Sequence, residues 1–241
     1  MSEFTEDRFL DGRVAVRQQR HGFRSGLDAV MLAAAVPAKD GGEVLELGAG
    51  AGIASLCLAS RVGSCTITGI DIDQDLVALA NANAEANGLA ARVRFVPADV
   101  VQLPEDLKRE FAHVFSNPPF HGEEGLASPD EGRRRARRDE GSLSAWLAAG
   151  SRRTVSGGTF TVVLRADRLG EALAALPGGG VTIFPLWPKA GEPAKRIILQ
   201  LRKGSGAPSV LQPGLVLHEA DGRFTQDAEA ILRGGASLAL G

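Results

Sequence analysis

From Gly41-Gly42 onward the chain alternates short apolar runs with stretches of helical period. Val44 to Leu47, Thr66 to Ile70, Val93 to Val96, Phe111 to Ser116 and Thr159 to Leu164 read as buried strands. Ile53 to Ser60, Gln74 to Asn87, a segment around Leu143 to Ala149, and Leu169 to Leu176 read as the intervening helices. Val181 to Phe184 and Arg196 to Leu201 add two closing strands. This order implies an α/β fold: a Rossmann-like, mostly parallel sheet of seven strands with helices on both faces. Upstream, Arg13 to Arg20 alternates as a short strand or hairpin would, and Leu27 to Val36 is helical and stops before Pro37. Three parts are expected: a basic hairpin and helix over 1–40 packed on the core, a main domain over 41–203, and an extension over 204–241. The extension opens with the Gly/Pro/Ser-rich stretch Lys203 to Pro213 and holds a possible helix, Thr225 to Leu232.

Composition narrows the classes. A chain of 241 residues, 44% hydrophobic, supports one sizeable core. The net charge of −2 and a pI of about 6.1 exclude a general polycation. Nucleic-acid contact must then come from local patches. Arg133, Arg134, Arg135, Arg137 and Arg138 form such a run and are candidate RNA contacts, offset by Glu123, Glu124, Asp130, Glu131, Asp139 and Glu140. Arg13, Arg17, Arg20, His21 and Arg24 form a second basic cluster. Cys57 and Cys65 lack CxxC or Cys/His spacing, so no metal site is expected; they read as reduced core thiols, as in a cytoplasmic protein. The acidic start is no signal peptide, and no apolar run reaches about 18 residues, so no membrane span is expected.

Two loops carry candidate chemistry. Glu46-Leu47-Gly48-Ala49-Gly50-Ala51-Gly52 joins a strand to a helix, as nucleotide-type loops do. The NAD fingerprint needs a further glycine where this chain has Ile53 or Ser55. Asp71 ends the next strand, about twenty residues on, where a carboxylate accepts from ribose hydroxyls. Asp73 reads as a helix cap. The second loop is Asn117-Pro118-Pro119-Phe120. Two prolines end a strand and leave it in a rigid, extended turn. Asn117 and the Pro118 carbonyl can each accept one N–H of an exocyclic amine, and Phe120 can stack on a flat ring.

Together these segments resemble class I methyltransferases that use S-adenosylmethionine. The acidic residue before GxGxG resembles their motif I, and the Asn-Pro-Pro-aromatic turn after the fourth strand resembles motif IV of amino-methyltransferases. The resemblance implies that the seventh strand is reversed and the other six are parallel. It implies cofactor contacts at Glu46, Gly48, Ala49, Gly50, Gly52, Asp71 and Ile72, with Asp99 at the adenine amine and Val100 offering its N–H. It makes Asn117, Pro118 and Phe120 the catalytic set. Over Arg13 to Arg202 the chain is similar to the bacterial valine-tRNA adenine-N6 methyltransferases, with Phe23 to Leu32 resembling motif X. That places Asp28 at the methionine end of the cofactor and makes tRNA the expected partner. Phe120-His121-Gly122 also resembles guanine-N2 methyltransferases of ribosomal RNA, and protein-glutamine methyltransferases share the Asn-Pro-Pro turn. A cofactor-binding module without catalysis is a further alternative, disfavoured by the intact Asn117 and glycine loop.

Overall fold

The computed structural model describes residues 4–20, 24–119 and 143–240. Phe120 and the arginines of 133–138 therefore lie outside the described residues. The hairpin β1 (Phe4–Phe9) and β2 (Val14–Gln19) forms its own antiparallel sheet. It is followed by α1 (Leu27–Ala35), whose residues Ala29 to Ala35 are all buried. The main unit runs β3 (Glu43–Leu47), α2 (Ile53–Arg61), β4 (Thr66–Asp71), α3 (Gln74–Ala86), β5 (Val93–Pro97) and β6 (Phe111–Ser116). It continues with α4 (Leu143–Arg153), β7 (Thr154–Arg165), α5 (Leu169–Ala175), β8 (Val181–Lys189) and β9 (Arg196–Arg202). The strands order as β5-β4-β3-β6-β7-β9-β8, with β9 antiparallel to both neighbours and the other pairs parallel. The sheet with one reversed strand is thus the expected one.

The sheet is wider than expected. The extension contributes β10 (Val210–Leu211) and β11 (Leu215–His218), both parallel to β8 on its outer edge, making nine strands. They pair with Thr182-Ile183 and with Leu186 to Lys189, leaving a gap opposite Pro185. That gap lets β8 run on through a proline that has no N–H to give, where the sequence pattern ends the strand at Phe184. The tail then forms α6 (Gln226–Leu232) against α1, and Leu238 N–H bonds Ala34 O at 2.9 Å. Leu215, Leu217, Ala228, Ile231 and Leu240 are buried, so the extension is part of the core.

Strand order reverses between β3 and β6, which makes their carboxyl ends the switch point where ligands bind in open α/β sheets. Leu47 and Ser116 are in register across this pair. Adjacent strands lie about 4.8 Å apart, so the loops that follow them start side by side. Cys57 and Cys65 are both buried, and burial pushes the Cys57 thiol up to about 12.

Candidate active site

Gly48, Gly50 and Gly52 have φ of 72°, 56° and 86°, a region that costs a residue with a side chain about 1–2 kcal/mol. A Cβ on Gly48 would stand 2.8 Å from Trp146 Cζ2, and one on Gly52 2.6 Å from Phe95 Cζ. At Gly50 no described residue lies within 4 Å of that position, so among the described residues this glycine borders open space. Gly50 N–H donates to Asp71 Oδ2 at 2.8 Å, tying the loop to the end of β4.

Two expected contacts belong to the loop's own support. Ala49 gives its N–H to Ile70 O at 2.8 Å and accepts Gly52 N–H at 2.9 Å, and its side chain is buried. It shapes the turn, with its N–H and its C=O each bonded within the protein. Glu46 is 2% exposed, and its Oε2 accepts the Ser55 N–H at 3.2 Å and the Ser55 hydroxyl. This satisfies an N–H in the first turn of α2 that no helix carbonyl reaches. Burial pushes the Glu46 carboxyl up to about 8; the Ser55 bonds oppose the rise and the Asp71 charge adds to it. Glu46 holds the loop from inside the protein.

Along the same edge, Asp71 Oδ1 accepts Asp73 N–H at 3.0 Å, and Asp99 Oδ1 accepts Val101 N–H at 2.8 Å. Asp73 caps α3, accepting from Asp75 and Leu76. Beside the two carboxylates, Ile72 is 52% and Val101 42% exposed. Val100 buries its side chain, which leaves its backbone as what it can offer a ligand. Pro118 is buried, and Asn117 Oδ1 is buried without a hydrogen-bond partner among the described residues. An unmet buried acceptor costs about 1–3 kcal/mol. The edge thus offers carboxylates beside apolar side chains, an open glycine, and an acceptor waiting for a donor.

A family model described as Methyltransferase small domain matches residues 26–130. A Yersinia enterocolitica protein named tRNA1(Val) (adenine(37)-N6)-methyltransferase is 30% identical over 90% of this chain and 87% of its own length. One of the same name from Aeromonas salmonicida is 31% identical over 87% of this chain and 89% of its own. The chain belongs to this methyltransferase family. Among solved structures, one titled a predicted O-methyltransferase from Agrobacterium tumefaciens is 27% identical and superposes with a TM-score of 0.74, covering 88% of this chain and 98% of that one. TrmN from Thermus thermophilus, 24% identical with a TM-score of 0.50 over 73% of this chain and 48% of its own, shares the fold.

The methyltransferase uses S-adenosylmethionine as methyl donor, and the switch-point edge fits that group. Gly50 leaves space, the carboxylates suit hydroxyls and an amine, and Ile72 and Val101 suit the faces of a flat ring. Asp28, at the start of α1, accepts from Arg196 Nε at 2.9 Å, which joins it to the first residue of β9. Antiparallel β9 starts at the edge where the parallel strands end, so the pair lies on the carboxyl edge of the sheet. The second basic cluster is divided. Arg13 bonds Leu10 O and Arg233 O at the end of α6, Arg24 pairs with Asp7, and Arg17 lies over the Phe4 ring.

Sequence reasoning missed the asparagines of α3. Asn83 exchanges both hydrogen bonds with Arg17 of β2 and also donates to Ala51 O in the glycine loop. Asn87 exchanges both with Ala15, and Asn81 with Phe95 of β5. The signal was there: asparagine is a poor helix-interior residue, and this helix carries a run of them. No helix among the described residues is long and apolar enough to cross a membrane, and no group of three or more His, Cys, Asp or Glu among them could hold a metal ion.

Proposed function

We propose that this methyltransferase acts in the cytoplasm on the exocyclic N6 of the adenine just 3′ of the anticodon in a valine tRNA; its relatives' names specify adenine 37 of tRNA1(Val) and its N6. The observation that carries the reading is the buried Asn117 Oδ1, without a hydrogen-bond partner among the described residues, one position after the residue in register with Leu47. Asn117 Oδ1 and the Pro118 carbonyl accept the two N–H bonds of the amine. Both bonds strengthen as the nitrogen turns tetrahedral and positive, so they favour the transition state. When bound, S-adenosylmethionine supplies an activated methyl group on sulfur. Asp71 receives ribose hydroxyls, having about four acceptor directions in all. Asp99 and the Val100 N–H receive the cofactor's adenine, Ile72 covers its face, and Asp28 with Arg196 borders its methionine end. Phe120 stacks on the target base, and Arg133, Arg134, Arg135, Arg137 and Arg138 contact RNA phosphates. An acceptor that suits an amine's paired donors favours nitrogen over the oxygen named for the Agrobacterium protein.

The test is methyl transfer from S-adenosylmethionine to unmodified valine tRNA, followed by nucleoside analysis. N6-methyladenosine should appear and should vanish when the target adenine is replaced by guanine. N2-methylguanosine in ribosomal RNA, or methylated glutamine in protein, would replace this reading with one of the alternatives. Asn117→Ala should lower the rate by about 10²–10³, with affinity for S-adenosylhomocysteine within a fewfold. Survival of activity would remove Asn117 from the mechanism. Replacing the five arginines by glutamine should flatten the salt dependence of tRNA binding by about 0.7–0.9 in log–log slope for each phosphate no longer neutralised; an unchanged slope assigns them to solvated surface.

A further inference from the structure

We propose that Trp146 is a positioning residue that couples the cofactor loop to Asn117 through the hydroxyl of Ser116. This rests on the functional reading above. Trp146 Nε1–H donates to Ser116 Oγ at 2.7 Å, and the Ser116 hydroxyl donates to Leu47 O at 2.7 Å. Indole has a donor and no acceptor, so the direction of this chain is fixed. Ser116 is fully buried, and its hydroxyl has one partner on each side. Leu47 immediately precedes Gly48 and Ser116 immediately precedes Asn117, while the two residues are already in register across β3 and β6. One hydroxyl therefore holds together the roots of both functional loops. The indole acts on the cofactor loop a second time: its Cζ2 lies only 2.8 Å from where a Cβ on Gly48 would stand. Gly48 can sink only as far as that ring allows. α4, which carries Trp146, thus sets the height of the glycine loop and the start of the Asn-Pro-Pro turn together. Neither link is legible in sequence, because each joins residues at least thirty positions apart.

Trp146→Phe keeps a ring and removes the donor. It should weaken S-adenosylhomocysteine binding by about three- to tenfold, measured by calorimetry, and lower the saturating methyl-transfer rate by a similar factor. Ser116→Ala should act in the same direction. The double variant should be little worse than the worse single one, because both changes break one chain. Multiplicative effects would reduce Trp146 to packing and overturn the proposal. A second measurement leaves Trp146 in place. The protein has two tryptophans, and Trp187, bonded to Pro213 O, stands on the far strand β8. In a Trp187→Phe protein, Trp146 emission should change saturably with S-adenosylhomocysteine, with the midpoint that calorimetry gives. Binding by calorimetry without an emission change would overturn the proposal. Absence of calorimetric binding to the unaltered protein would instead overturn the functional reading, and this inference with it.

Discussion

Gly50 and Gly52 should fail in different ways when each becomes alanine, because one borders open space and the other a fixed side chain. At Gly50 the φ of 56° costs alanine about 1–2 kcal/mol, partly offset by about 0.4–1 kcal/mol from a stiffer unfolded chain. With no described residue within 4 Å of the new methyl, the net loss is about 1 kcal/mol, or roughly 2–4 °C in melting temperature for a chain of this size. The same methyl would intrude on the cofactor. Overpacking of about 1–3 kcal/mol corresponds to a roughly 5- to 150-fold loss of affinity. At Gly52 the methyl meets Phe95 Cζ at 2.6 Å, and Phe95 cannot yield. Asn81 bonds both its N–H and its C=O, and a Cβ position on Gly69 lies only 2.4 Å from its ring. Strain plus overpacking then reaches about 2–5 kcal/mol, or roughly 5–15 °C. Calorimetry with S-adenosylhomocysteine and a thermal melt on both variants separate the cases. Unaltered affinity in Gly50→Ala would refute the placement of the cofactor over the open side of the loop. A fall of about 10 °C or more in that variant would mean the space is filled from within the protein.

Two further perturbations test the supports of the loop. Glu46 has a folded pKa near 8 against 4.5 unfolded, so in that window the unfolded chain is ionised while the native one holds its proton. Its stabilising contribution is complete below pH 4.5 and is lost as pH rises toward 8, by at most about 5 kcal/mol at 1.4 kcal/mol per unit. Glu46→Gln should flatten the fall in stability between about pH 5 and 8; denaturant titrations with the same slope as the unaltered protein would contradict the raised pKa. Asn83→Ala strips partners from Arg17 N–H, Arg17 C=O and Ala51 C=O, so it should cost about 2–4 kcal/mol and speed hydrogen exchange in β2. A loss below about 0.5 kcal/mol would show the hairpin held by other contacts.

What was legible in the sequence is local. Gly48 to Gly52, Asp71, Asp99 and Asn117 each follow an apolar strand within a few residues, so strand order alone brought them to one edge. What was not legible depends on contacts across the chain. β10 and β11 are two and four residues long and lie within or just after a Gly/Pro/Ser-rich stretch, too short for a periodic pattern. Arg13 looked like a member of a basic cluster because its neighbours in sequence are basic. Its partner, Arg233 O, is 220 residues away. Glu46 stood in a ligand-binding motif, and only the packed structure reveals that Ser55 takes its carboxyl oxygen.

The unmet acceptor at Asn117 also bears on how many methyl groups are added. In the proposed binding mode a free exocyclic amine gives one N–H to Asn117 Oδ1 and one to the Pro118 carbonyl. After one transfer a single N–H remains, so the product leaves one acceptor unpaired. For Asn117 Oδ1, already buried, that restores a cost of about 1–3 kcal/mol. Sites built to hydrogen-bond a substrate group reject analogues that lack it more strongly than apolar pockets reject a missing methylene. The same geometry that draws in the amine thus disfavours its product, and a second transfer should be slower by about tenfold or more. Digestion of tRNA after long incubation with excess enzyme should yield the monomethylated nucleoside almost alone. Dimethylated adenosine formed at a comparable rate would mean that only one of the two acceptors engages the amine.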